Sequence, residues 1–208
     1  MIDHLIFDFD GTISNSYPIF VRIVRDVARD YDVKVDLSDD ELLDKLMVNV
    51  KTCTDALDFR CPPIERAERF WYYQQLYYKD FKPFPEIEGI LKKAISLGKK
   101  NYIYTHSGSV VRDILKNVGL FQYFTYVLDS TKGFPSKPAP DALWYLTETL
   151  ELPPERCIMI GDRPIDTMAG NNAGMKGCLW DAFDRYSDYE TDYKIRTLSQ
   201  LDALLEVL

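Results

Sequence analysis

The chain has 208 residues, 46% of them hydrophobic and 28% charged, a composition that excludes intrinsic disorder. A folded chain of this size hides roughly 70% of its extended surface, enough for one large core or a core with a small satellite domain. With 25 Lys plus Arg against 33 Asp plus Glu, the net charge is −8. The basic residues form no block, which argues against nucleic acid and anionic membrane as partners.

No hydrophobic stretch reaches the ~18 uninterrupted residues of a spanning helix. The N-terminal segment carries Asp3, Asp8 and Asp10 where a signal peptide would carry basic residues. A cytoplasmic protein, monomer or homodimer, is the expectation. Cys53, Cys61, Cys157 and Cys178 form no CxxC pair and are too sparse for a disulfide framework, so they are read as reduced packing residues.

In chain order, short apolar runs predict strands at His4–Phe9, Asn101–Thr105, Tyr123–Leu128, Cys157–Gly161 and Lys176–Trp180. Between and after them, Val110–Val118, Pro138–Leu150, Ile165–Ala173 and Leu198–Leu208 carry apolar residues at helical spacing. Fully apolar strands alternating with helices imply an α/β fold with a Rossmann-like parallel sheet buried on both faces. From about Ser16 to Lys82 there is no strand candidate, only the helix-like stretches Pro18–Tyr31, Asp39–Met47 and Pro63–Phe81. Such a length is too great for a βα loop, so residues 16–82 are read as a small helical domain inserted into a core of residues 1–15 and 83–208. Its aromatic segment, from Phe70 to Phe81, is read as a helix wedged into that domain's own core rather than a stacking surface for bases.

In an open parallel sheet, ligands sit beyond the carboxyl ends of the strands. There the sequence is unusually polar. The first strand ends in Asp8-Phe9-Asp10-Gly11-Thr12, the second in Thr105-His106-Ser107 and the fourth in Asp162, with Asp166 following and Lys137 in the loop before that strand's helix. Two like charges 4 Å apart repel by about 4 kcal/mol at an effective dielectric of 20. Four converging carboxylates therefore need more than one lysine, and a hard divalent cation such as Mg²⁺ suits an oxygen-lined site that also handles phosphate. The alternation along an extended segment points Asp8 and Asp10 the same way, so one can attack while the other moves a proton. Gly11 lets the backbone turn sharply toward an anion, and the Thr105 hydroxyl and Lys137 ammonium can bind phosphate oxygens.

These residues, in this order, resemble the haloacid dehalogenase superfamily. The four motifs are Asp8-Phe9-Asp10-Gly11-Thr12, Thr105 at a strand end, Lys137-Pro138-Ala139-Pro140-Asp141, and Gly161-Asp162-Arg163-Pro164-Ile165-Asp166. A helical insert between the first two motifs is similar to the helical-cap subgroup that includes phosphoglycolate phosphatases and β-phosphoglucomutase-like proteins; Asn15 stands where such relatives often carry Asp.

The resemblance implies a Mg²⁺-dependent phosphatase acting on a small phosphorylated metabolite. Asp8 would be the nucleophile and Asp10 the acid and base. Mg²⁺ would be held by Asp8, the carbonyl of Asp10 and Asp162, with Asp166 orienting Lys137 or a metal-bound water. Gly11, Thr12, Thr105, His106 and Lys137 would surround the phosphoryl group. The insert would act as a lid hinged at Thr12–Tyr17 and Phe81–Glu86, and Lys51, Thr52, His106 and Arg163 are candidates for contacting the leaving group. A phosphomutase is the nearest alternative; a phospho-receiver or other non-catalytic binding protein is more distant. A dehalogenase would need neither Mg²⁺ nor Asp10.

Overall fold

The run Leu5, Ile6, Phe7 has no polar side chain to offer solvent. In the computed structural model, which describes residues 1–208, it is buried in the central strand β1 (His4–Phe7). Helices α1 (Tyr17–Asp30), α2 (Asp39–Val48), α3 (Val50–Asp55) and α4 (Pro63–Leu76) follow before any second strand. The chain then alternates through α5 (Ile87–Ser96), β2 (Lys100–Tyr104), α6 (Val110–Asn117), β3 (Phe124–Leu128), α7 (Asp141–Leu150), β4 (Cys157–Gly161), α8 (Pro164–Asn172) and β5 (Lys176–Trp180). It ends in the short strand β6 (Tyr193–Ile195) and α9 (Leu198–Leu204). The six strands form one sheet in the order β3-β2-β1-β4-β5-β6, every neighbouring pair parallel, so the fold is α/β and Rossmann-like.

Met1–Ser14 and Pro83–Leu208 make one compact unit and Asn15–Lys82 a second. In the first, Ile6, Tyr102 and Met159 present one sheet face to Ala142, Leu143 and Leu146 of α7 and to Ala169 of α8. Burying an aliphatic side chain of this size stabilises the fold by about 1.5–3 kcal/mol. Register positions the site: Phe7 lies opposite both Ile103 and Ile160, so the residues that follow them emerge at one edge. The backbone carries this one step further, Asp8 N–H donating to the Ile160 carbonyl (2.8 Å) and Thr105 N–H to that of Leu128 (3.0 Å).

The second unit is wholly helical. Phe20, Ile23, Val24 and Val27 of α1 are buried, and Phe20 meets Phe70 of α4 edge-on at 5.3 Å between ring centroids. Ser38 and Glu41 form a capping box at the start of α2, satisfying amides the helix cannot. The aromatic segment divides by face: Phe70, Tyr73 and Phe81 are buried, whereas Trp71 and Tyr72 are exposed. The core-helix expectation thus holds for one side of α4 only.

Several boundaries differ from those predicted. β1 stops at Phe7 because the Phe9 carbonyl accepts from the amides of Thr12, Ile13 and Ser14, curling the chain out of the sheet. α7 begins at Asp141, after Pro138 and Pro140, which have no N–H to give. α3, α5 and β6 were not anticipated. No helix is long and apolar enough to cross a membrane, and all four cysteines are free.

Candidate active site

The turn leaving β1 is built around Gly11, whose φ of +79° lies in the left-handed region that other residues reach at a cost. Its N–H donates to the Ser14 carbonyl (2.8 Å), closing the loop that carries Asp10 and the buried Thr12. Asp8, at the strand end itself, is 2% exposed.

Lys137 draws the edge together. Its fully buried ammonium donates to Asp8 Oδ1 (2.8 Å), Asp166 Oδ1 (2.8 Å) and the Tyr104 carbonyl (2.9 Å), using all three protons. Burial opposes a charge there, but Asp166 and Asp8 outweigh it and hold the Lys137 pKa above the ordinary lysine value. Asp166 stands in the first turn of α8, where a carboxylate suits the helix dipole, and its Oδ2 accepts from the Arg163 N–H (3.1 Å). Gly161 makes the approach possible: a Cβ there would lie 2.4 Å from the Cβ of Asp166. The fourth motif therefore uses glycine for space rather than for backbone freedom.

The tripeptide after β2 connects the other motifs. Thr105 Oγ1 accepts from the Ser107 N–H (3.0 Å), and Ser107 Oγ donates to Asp10 Oδ2 (2.6 Å). His106 Nε2 accepts the backbone N–H of Lys137 (2.9 Å). Burial, with Lys137 and Arg163 nearby, pushes the His106 pKa down to about 3, so the ring is neutral near pH 7 and carries no charge for a phosphate. Ser107 and the Tyr104 carbonyl were not singled out in the sequence. Position two after Thr105 hints at Ser107 through the period of an extended chain, but a backbone carbonyl leaves no trace in residue identity.

Asp8, Asp162 and Asp166 are all buried, with one carboxylate oxygen from each within 4.8 Å of the others. Asp8 and Asp166 share the one Lys137 ammonium, and Asp8 Oδ2 is buried without a hydrogen-bond donor. Such a surplus of hard oxygen donors fits a divalent cation. Both oxygens of Asp166 are engaged by Lys137 and the Arg163 amide, which leaves Asp8 and Asp162 as the better-placed ligands. Asp10 is outside the triad, its carboxylate turned to Ser107. In the helical unit, Lys51 is exposed and paired with Asp55, and the Thr52 N–H donates to Asn49 Oδ1 (2.7 Å) as part of the α3 cap.

A parallel sheet carrying buried carboxylates and a buried lysine at its carboxyl edge defines an α/β enzyme with an acidic, cation-accepting centre. The chain belongs to the haloacid dehalogenase-like hydrolase family, which it matches over residues 5–179. It is 29% identical over 184 residues to a phosphoglycolate phosphatase of Vibrio vulnificus, covering 81% of this chain and 78% of that one. It is 23% identical over 228 residues to pyrophosphatase PpaX of Anoxybacillus flavithermus, covering 99% and 98%. The crystal structure of CbbY from Rhodobacter sphaeroides in complex with phosphate superposes with a TM-score of 0.80 at 17% identity, covering 97% of this chain and 96% of that one, a likeness of fold.

Proposed function

We propose that the protein is a Mg²⁺-dependent phosphatase that hydrolyses a small phosphorylated metabolite through an aspartyl-phosphate on Asp8. The observation that carries this reading is the grip of Lys137 on Asp8 and Asp166, which holds a buried carboxylate oriented at the strand end. Asp8 attacks phosphorus and the bond to the leaving oxygen breaks, with Asp10 giving that oxygen its proton. Asp10 then takes a proton from water, which attacks the phosphorus, frees inorganic phosphate and restores Asp8. Ser107 fixes the Asp10 carboxylate for both transfers.

As Asp8 loses its charge to the new acyl-phosphate bond, negative charge gathers on the phosphoryl oxygens. A Lys137 proton released by Asp8 can follow it, and Thr105 offers a hydroxyl beside it. Mg²⁺, held by Asp8, Asp162 and the Asp10 carbonyl, would supply charge neutralisation for the phosphoryl group. In this reading the helical unit, inserted in the sequence between the first and second motifs, selects the substrate.

The test is phosphate release from a panel of small phosphomonoesters, phosphoglycolate and sugar phosphates among them. Activity with Mg²⁺ and none in excess EDTA is expected. Asp8→Asn, whose amide keeps the shape but cannot attack, should lower kcat by at least about 10³-fold. Full activity of that variant would overturn the assignment, and efficient dephosphorylation of a folded phosphoprotein would overturn the substrate class.

A further inference from the structure

Lys137 must place its ammonium between two carboxylates, yet the loop that delivers it is thinly packed. A cavity of about 70 Å³ lies beside this loop, lined by Tyr104, Thr105, His106, Phe134, Pro135 and Ser136 among others. Where packing leaves a gap, directional bonds must fix the backbone. Three do so: Ala139 N–H to the Ser136 carbonyl (3.0 Å), Asn172 Nδ2 to the Pro138 carbonyl (3.0 Å), and Lys137 N–H to His106 Nε2 (2.9 Å). Only the last acts on Lys137 itself.

The chemistry of the acceptor is consistent with this. An imidazole nitrogen can accept a hydrogen bond from an amide only through a free lone pair, and the positive charges of Lys137 and Arg163 near His106 disfavour imidazolium, with Asp166 opposing them. Tyr104 packs edge-on against the ring at 6.1 Å between centroids, fixing its plane.

We propose that His106 is a positioning residue whose imidazole acts through the Lys137 backbone, setting where the ammonium meets Asp8 and making no contact with substrate itself. This rests on the phosphatase reading above for its kinetic consequence, but not for its structural one. It replaces the expectation that His106 binds phosphate or the leaving group.

His106→Phe keeps a ring and removes the acceptor, whereas His106→Gln offers an amide oxygen at similar reach. Since a misplacement of about 1 Å can cost on the order of 10²-fold, His106→Phe should lose about ten-fold or more in kcat with KM within about two-fold. His106→Gln should recover most of the loss, and its kcat profile between pH 5 and 8 should match the parent's. Hydrogen exchange at the Lys137 amide gives a reading independent of activity: protected in the parent and the Gln variant, fast in the Phe variant. If His106→Phe does not fold, His106→Leu carries the same comparison. A raised KM with unchanged kcat, a Gln variant as impaired as the Phe variant, or a Lys137 amide still protected without the acceptor would each overturn the proposal. A parent protein inactive on every phosphomonoester, with the exchange pattern as expected, would overturn only the phosphatase reading.

Discussion

The two units of the molecule concentrate their charges differently. In the α/β unit, Asp8, Lys137 and Asp166 are at most 5% exposed and bonded to one another. In the helical unit most charged groups near α1 and α4 reach the surface: Arg22 lies over the Tyr77 ring at 3.7 Å, Tyr77 donates to the buried Asp26, and Arg69 and Tyr73 share Asp30. Surface pairs of the second kind fasten helices weakly, because water competes for each partner. Burying the first kind costs several kcal/mol per ion, a cost the surrounding fold must offset. At this strand edge, chemistry rather than stability explains the burial of charge.

Lys137→Met should break this contrast most severely. It leaves Asp8 and Asp166 buried without their cation, so stability by urea unfolding should fall by about 3–5 kcal/mol. Turnover should fall by about 10³-fold. Gly161→Ala tests the space beneath the same cluster: its Cβ would meet Asp166, so we expect about 1–3 kcal/mol of destabilisation. Phosphate release should drop as Asp166 moves off Lys137. A Gly161→Ala enzyme with parent activity and stability would show that the approach is not needed.

His106 sharpens the comparison through pH. Folded, its imidazole stays neutral down to about pH 3, whereas in the unfolded chain it takes a proton near pH 6.5. Between those values the unfolded state binds more protons, so stability falls as the pH falls, by a few kcal/mol in all. His106→Gln should flatten that part of the curve of unfolding midpoint against pH. Lys51→Ala, at the exposed Asp55 pair, should change neither the thermal midpoint nor the substrate profile.

The residues themselves explain what could be read in advance. β4 matches its predicted span to the residue because a central strand buried on both faces shows as an unbroken apolar run, and β5 matches although it opens on the exposed Lys176. β6, three residues of which only Ile195 is buried, is an edge strand too short to leave a pattern. α5 does carry one, with Ile87, Ile90, Leu91 and Ala94 at helical spacing and buried. In the site, the side chains that touch Lys137 were visible as motifs, whereas the acceptor role of His106 was hidden. A histidine beside a phosphate motif suggests a cation, and only burial reveals a lone pair.

The bond between Lys137 and Asp8 joins residues 129 positions apart, which has a consequence for biosynthesis. β1 lies between β2 and β4, both made after it. At about 5–20 residues per second, a ribosome needs about 6–26 s to go from Asp8 to Lys137. For that interval Asp8 lacks the lysine that grips it in the fold, while the contiguous helical segment is made in full. The catalytic edge is thus completed late in synthesis, and a chain truncated just before Asp166 would carry Asp8, Lys137 and the Tyr104 carbonyl without the second carboxylate that grips the ammonium.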